Sequence, residues 1–239
     1  MSSQMIFQRY EIKYLLTQRQ KTQVLLAMEP YMSLDQYGRT TIRNIYFDTG
    51  TYRLIRRSIE KPAYKEKLRL RSYRRALEAD PVFVELKKKY RGVVYKRRIL
   101  LPQARAMNCL CRGAPFPAGN QIAEEIRYFC DYYGDLRPVM FLSYEREAFY
   151  AADGGDFRVT FDENILARTQ DFSFAAGVFG EPLLEKGATL MEIKTAGAIP
   201  LWMARCLSQN GIFKTSFSKY GTAYQAMLLQ SDQGGILHA

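Results

Sequence analysis

The sequence has little of what many active sites are built from. Its 239 residues include one histidine, His238, which is the penultimate residue. Catalytic triads, Cys-His pairs and phosphohistidine chemistry all need an imidazole held in a site, and a residue beside a chain end is a poor candidate for one. Any catalysis is therefore expected to rest on cations, carboxylates and metal.

Paired cysteines and long apolar runs are also missing. The chain has four cysteines and no CxxC pair: Cys109, Cys111, Cys130 and Cys206. With only His238 to join them, they predict no zinc site. No signal peptide is recognisable, which favours a reduced, cytoplasmic protein. No apolar run approaches the roughly 20 residues that span a bilayer, so no membrane segment is expected.

The phosphate-binding loops GxxxxGK[ST] and GxGxxG are absent as well, so any bound phosphate must be held by side chains. Positive charge, by contrast, is abundant. Lys and Arg number 35 against 24 Asp and Glu, and the formal net charge is +11. This balance favours a polyanionic partner, namely a nucleic acid, an anionic membrane surface or a phosphorylated small molecule.

Charged residues recur at every second position of several predicted strands. In residues 67–71, Lys67, Arg69 and Arg71 share one face and two leucines share the other. Similar alternation occurs in residues 9–13, 83–89, 158–162 and 191–194. A single such strand is an ordinary solvated face, but like charges on paired strands repel. The recurrence indicates charged faces that converge around an anion, and Arg69→Ala should then hold or raise the melting temperature of the empty protein.

Strands interspersed with helices predict an α+β fold. Strands are expected at 6–16, 41–48, 64–73, 81–90, 93–101, 138–150, 156–162 and 189–195. Helices are expected at 52–57, 103–112, 200–209 and 219–230. Two more are expected after the N-caps Thr17 and Asn120, the first running through Met28 and stopping at Pro30, and the second ending at Gly134. No repeat or linker is visible, which predicts one domain over residues 1–239, with about eight loose residues at its C-terminal end.

Glu192 is the leading candidate for a metal ligand because its strand is otherwise apolar, apart from Lys194. A carboxylate among cations can bind Mg²⁺ or Mn²⁺ and bridge it to phosphate oxygens. The alternative is a plain ion pair with Lys194, and Glu85 beside Lys87 allows the same interpretation. An exposed pair of that kind contributes only about 0–1 kcal/mol.

Two further segments suggest anion binding. Tyr144 and Arg146 share a strand face, and the tyrosine is either a core residue or a hydroxyl donor to phosphate. Ser218 and Lys219 stand at the predicted start of a helix, where a hydroxyl, an ammonium and the helix dipole favour an anion. The alternative for Ser218 is an ordinary N-cap.

Taken in order, these segments resemble the VTC (vacuolar transporter chaperone) domain, the polyphosphate polymerase branch of the triphosphate tunnel metalloenzymes, a CYTH-like superfamily. The resemblance runs from Arg9 to Tyr220 and includes residues 45–48, 68–73, 82–87, 144–149, 158–162, 192–194 and 217–220. It implies an antiparallel β-barrel tunnel with helices packed outside.

The resemblance also implies a metal-dependent polyphosphate polymerase, which transfers the γ-phosphoryl group of ATP to a growing polyphosphate chain inside a basic tunnel. ATP and inorganic polyphosphate are the implied partners, Mn²⁺ or Mg²⁺ is the implied cofactor, and no nucleic acid is expected. The implied catalytic residues are Arg69, Arg71, Lys87, Arg146 and Arg158. The implied substrate-binding residues are Lys13, Lys96, Tyr144, Lys194, Ser218 and Lys219, and the implied metal ligand is Glu192.

Other functions remain open at this point. A triphosphatase would release orthophosphate, but hydrolytic tunnel enzymes begin with ExExK, whereas this chain has Arg9, Glu11 and Lys13. A polyphosphate-binding module without turnover is the second alternative. Nucleic-acid binding is weaker, because basic residues in a closed lumen cannot grip a duplex.

Overall fold

The computed structural model describes residues 10–91 and 93–227, and it confirms the α+β class. The strands are β1 Tyr10–Leu16, β2 Met32–Leu34, β3 Thr40–Asp48, β4 Tyr64–Ser72, β5 Pro81–Tyr90, β6 Val93–Pro102, β7 Arg137–Ala151, β8 Arg158–Arg168, β9 Glu181–Pro182, β10 Thr189–Thr195 and β11 Lys214–Thr215. The helices are α1 Gln18–Met28, α2 Arg53–Ile59, α3 Gln103–Cys111, α4 Gln121–Tyr133, α5 Leu201–Gln209 and α6 Lys219–Met227. None of these helices combines the length and apolar character needed to cross a membrane.

The strands form one antiparallel sheet of eleven strands. Its main order is β11-β1-β10-β8-β7-β3-β4-β5-β6, with β2 beside β7 and β9 beside β8. Along the described residues this order ends at β11 and at β6, so closure into a barrel stays a prediction. Arg9, His238 and the predicted C-terminal tail lie outside the described residues.

The residues group into two compact units, each built from separate stretches of the sequence. The first unit comprises the chain up to Thr41, Tyr144–Ile165 and Pro182–Phe217, and the second comprises Ile42–Ser143, Leu166–Glu181 and the chain from Ser218. Each unit has its own hydrophobic core. That the chain is one domain over residues 1–239 stays a prediction.

Local capping explains where two of the helices begin. Thr17 Oγ1 accepts a hydrogen bond from the Gln20 N–H at 3.3 Å, and the Gln20 side chain accepts one from the Thr17 N–H at 3.0 Å. This is the reciprocal capping box that begins α1. Asn120 caps the start of α4, and Gly134, with a φ of 70°, is the C-cap at its end. The predictions of these two N-caps are confirmed.

In the first unit, the core covers one face of β1, β8 and β10. Val159 and Phe161 of β8 and Met191 and Ile193 of β10 are buried there. Helices α1 and α5 supply Val24, Met28, Met203 and Leu207 to the same core. Because side chains alternate along a strand, Arg158 and Asp162 of β8 and Glu192 and Lys194 of β10 lie on the opposite face.

In the second unit, the core covers one face of β3 to β6. Leu68 and Leu70 of β4 are fully buried, as are Val84 and Leu86 of β5. Helices α3 and α4 contribute Ala106, Leu110, Ile126 and Phe129. The predicted division of β4 into a leucine face and a basic face is therefore confirmed.

Candidate functional site

In the second unit, Glu85 lies among three cations. Its side chain is 1% exposed, and β5 places it directly opposite Arg69 of β4. Arg69 Nη2 is 2.8 Å from Glu85 Oε2, and Lys96 Nζ is 2.6 Å from Oε1. Arg71 Nε is 3.7 Å from Oε2. Burial alone would raise the pKa of Glu85, but the three cations outweigh it and hold that pKa below its usual range.

Side chains of β3 fix the orientation of both arginines. Arg71 Nε donates to Asn44 Oδ1 at 3.0 Å, and Arg69 Nη1 donates to the Tyr46 hydroxyl at 3.0 Å. The Tyr46 ring stacks on Tyr220 with a centroid distance of 4.8 Å. The two guanidinium planes are thus set before any ligand arrives, which favours forked recognition of phosphate oxygens.

A row of three lysines crosses the same face. Lys67 is opposite Lys87 across β4 and β5, and Lys87 is opposite Lys96 across β5 and β6. Burial, with Arg71 and Arg69, lowers the pKa of Lys96 to about 8, although Glu85 opposes this shift. The structure therefore brings Arg69, Arg71, Lys87 and Lys96 together on one face, as predicted.

Ser218 and Lys219 begin α6 in the same unit. Ser218 Oγ accepts from the Gly221 N–H at 3.2 Å, so the N-cap interpretation is correct. The same oxygen accepts from Lys67 Nζ at 3.0 Å, which brings this serine to the lysine row. The hydroxyl of Tyr220 donates to Asp48 Oδ2 at 2.9 Å and fixes the first turn of α6.

In the first unit, charged residues align in two rows across β1, β10 and β8. Glu192 is opposite Lys13 on one side and opposite Thr160 on the other. Two residues along, Lys194 is opposite Arg158 in the same way. Lys13, Glu192, Lys194 and Arg158 therefore share the face that is turned away from the α1–α5 core.

Individual contacts orient these cations. Lys13 Nζ donates to the Phe217 carbonyl at 2.8 Å. The Arg158 guanidinium lies 4.7 Å from the centre of the Tyr150 ring. Tyr150 belongs to β7. Its contact with Arg158 is consistent with Arg158 lying on the charged face of the sheet. Aromatic support of this kind leaves the polar edge of the guanidinium available to an anion.

Asp162 is a site residue that sequence reasoning missed. It is fully buried and accepts two hydrogen bonds from Arg146, with Nε–Oδ1 of 2.6 Å and Nη2–Oδ2 of 2.7 Å. Burial would lower the pKa of Arg146, but Asp162 outweighs it and raises that pKa. Tyr144 is buried with its ring centre 5.1 Å from the guanidinium. A signal existed, because Asp162 has the same strand parity as Arg158.

The donor set around Glu192 suits a hard cation that is bound largely by other oxygens. Glu192 is 8% exposed, and its Oε2 is 3.6 Å from Lys194 Nζ. Across residues 10–91 and 93–227, no group of three or more His, Cys, Asp or Glu side chains could enclose a metal. One carboxylate fits Mg²⁺ or Mn²⁺, since Mg²⁺ usually keeps several waters and binds substrate phosphates.

The sequence matches the family model of the VTC domain over residues 8–228. The chain belongs to the VTC-domain family. Among solved structures, a Bacillus halodurans protein provisionally described as an adenylate cyclase is similar, with a TM-score of 0.55 and 14% identity over 92% of this chain and 99% of that chain.

A Hippeastrum protein, provisionally described as an adenylyl cyclase and reported to have a dominant triphosphatase activity, is also similar. Its TM-score is 0.52, with 13% identity over 91% of this chain and 95% of that chain. These two likenesses show that this chain shares the fold of those proteins. Comparison with curated proteins gives no significant match.

Proposed function

We propose that this VTC-domain protein is a metal-dependent polyphosphate polymerase, which transfers the γ-phosphoryl group of ATP to a growing polyphosphate chain. The observation behind the proposal is the cluster of Arg69, Arg71, Lys96 and Glu85, in which one buried carboxylate faces three cations. The carboxylate fixes the positions of the three cations, and its single negative charge is smaller than their combined positive charge. A preoriented excess of positive charge suits a substrate with several phosphates.

The chemistry needs positioning and charge stabilisation, and it needs no protein nucleophile. A terminal oxygen of the acceptor chain attacks the γ-phosphorus of ATP. The bond from that phosphorus to the β–γ bridging oxygen breaks, and ADP leaves with the electron pair. The acceptor oxygen is already ionised near neutral pH, so the reaction needs no imidazole base.

The cations divide the work between the reacting phosphoryl group and the remaining phosphates. In the proposal, the second unit contributes Arg69, Arg71 and Lys87 as catalytic residues and Lys96, Ser218 and Lys219 as phosphate-binding residues. The first unit contributes Arg146 and Arg158 as catalytic residues and Lys13, Tyr144 and Lys194 as phosphate-binding residues. Glu192 would hold Mn²⁺ or Mg²⁺, and the ion would neutralise charge on phosphate oxygens. A cytoplasmic location is part of the same proposal.

A triphosphatase is the second candidate function. The observation that favours it is the similar Hippeastrum protein, for which a dominant triphosphatase activity is reported. In that reaction water takes the place of the acceptor chain and orthophosphate is released. A polyphosphate-binding module without turnover would use the same cations and make neither product.

The test is incubation of the purified protein with ATP and Mn²⁺, followed by gel separation of phosphate polymers and a parallel orthophosphate assay. We expect a ladder that polyphosphatase removes, and we expect Arg158→Ala to abolish it. Arg127→Ala is the matched control, because Arg127 pairs with Glu124 and Asp131 on the exposed side of α4. Orthophosphate without a ladder would make the protein a triphosphatase. If the protein binds polyphosphate but makes neither product, the remaining interpretation is a binding module without turnover.

A further inference from the structure

Thr160 presents a hydroxyl that the fold itself does not use. The residue lies in β8 and is 6% exposed. Its Oγ1 is buried and has no hydrogen-bond partner among the residues that the structure describes. Nearly all buried hydroxyls in native proteins have a partner, and one without a partner costs free energy. Such a group therefore needs an explanation.

The position of Thr160 in β8 determines the face of the sheet on which its hydroxyl lies. Its chain neighbours Val159 and Phe161 belong to the hydrophobic core, so Thr160 lies on the opposite, charged face. Across β8 and β10 it is directly opposite Glu192. Arg158 and Asp162 flank it on the same face of β8.

We propose that Thr160 Oγ1 donates a hydrogen bond to a phosphate oxygen of the substrate, making it a binding residue of the site around Glu192. The inference rests on the proposed function in one respect, since it takes the ligand to be an oligophosphate. A hydroxyl can donate to a phosphate oxygen without adding charge. That property suits a position beside Glu192 and Lys194, where a further cation would compete for the carboxylate.

The alternative is that the hydroxyl has a structural use, and Thr189 shows what such a use looks like. Thr189 is also buried and lies in the adjacent strand β10, but on the other face. Its Oγ1 donates to Glu163 Oε1 at 2.7 Å. Thr160 and Thr189 therefore form a matched pair, in which one hydroxyl is satisfied within the protein and the other is not.

The experiment is calorimetric titration of tripolyphosphate into the wild type, Thr160→Val, Thr160→Ser and Thr189→Val, each in EDTA and in Mg²⁺, with a thermal melt of every protein. Valine keeps the shape of threonine and removes the hydroxyl. We expect Thr160→Val to weaken binding about tenfold in both buffers, because a hydrogen bond to a charged group is lost. Its melting temperature should hold or rise, and Thr160→Ser should restore affinity.

The control should give the reverse pattern. Thr189→Val should lower the melting temperature and leave the affinity for tripolyphosphate unchanged. The inference is overturned if Thr160→Val binds as tightly as the wild type, if it melts as low as Thr189→Val, or if the wild type binds no tripolyphosphate. A loss of affinity confined to Mg²⁺ would also overturn it, because the hydroxyl would then serve a metal-bound water.

These outcomes separate the inference from the proposed function. If Thr160→Val loses affinity but the wild type makes no polymer, the polymerase proposal fails and Thr160 remains a phosphate-binding residue. If the wild type makes polymer and Thr160→Val retains wild-type affinity, the polymerase proposal stands and the role of Thr160 is refuted.

Discussion

At the scale of single residues, Glu85 gives the arginines of β4 a structural role. The sequence suggests a pair of Glu85 with Lys87, its neighbour two positions along the same strand. The structure instead pairs Glu85 with Arg69 and Lys96, which come from the two adjacent strands. Cross-strand neighbours are closer in a sheet than residues two apart in one strand. The carboxylate of Glu85 therefore attracts the arginines of β4, and mutual repulsion among the cations is not the main interaction at these positions.

This arrangement reverses the expectation that Arg69→Ala holds or raises the melting temperature. The substitution removes the guanidinium that is 2.8 Å from the 1%-exposed Glu85 side chain and the hydrogen bond to Tyr46. We expect a loss of about 1–3 kcal/mol in the free energy of unfolding, since a buried charge loses a partner. Urea denaturation measures the loss, with Arg127→Ala as the exposed control. An unchanged urea midpoint would support the original expectation, in which Arg69 is repelled by the neighbouring cations.

At the scale of elements, an ionic cluster ties α1 to the strands beneath it. Lys21 of α1 is 3.0 Å from Glu147 of β7 and 2.9 Å from Glu163 of β8. Arg39 Nη1 lies 2.8 Å from the other oxygen of Glu163. Burial would raise the pKa of Glu163, but its bonds with Lys21, Thr189 and Arg39 outweigh this and lower it.

A carboxyl whose pKa is lowered by folding contributes stability above its unfolded pKa, near 4.3, and that stability is lost as the pH falls through the folded value. Lys21→Met should therefore cost about 1–3 kcal/mol at pH 7 and progressively less below pH 5. Melting temperatures measured from pH 3 to 7 would show the two curves converging in acid. Lys186→Met, at an exposed turn, is the control. Parallel curves would mean that Lys21 contributes only packing.

The elements that could be predicted are those with local signals. Thr17 and Asn120 predict where α1 and α4 begin, because the hydrogen bonds of an N-cap are made within four residues of sequence. The strands β2, β9 and β11 have two or three residues each, too few to show alternation. The predicted end of β8 at residue 162 falls short of Arg168. Asn164 has a φ of 48° within this strand, and such a left-handed residue interrupts the period-two pattern.

At the scale of the whole molecule, the cations were visible in the sequence and their partners were not. Alternation along one strand places Arg146 and Arg158 on a face, and that signal is local. Asp162 and Thr160 acquire their roles only through pairing with other strands, which single-strand alternation does not encode. The net charge of +11 likewise predicts an anion without saying which kind.

Thermal melts can decide which anion the charge serves. At 100 times its dissociation constant, a ligand that binds only the folded state adds about 2.7 kcal/mol. For a chain of this size, that should raise the melting temperature by roughly 5–10 °C. We expect tripolyphosphate with Mg²⁺ to give such a rise, and single-stranded DNA of equal total charge to give a much smaller one at 0.15 M salt. The preoriented arginines fit closely spaced phosphates, whereas scattered surface cations are largely screened over about 8 Å. Equal stabilisation by DNA that survives Arg158→Ala would place the binding charge on another surface and favour a nucleic-acid partner.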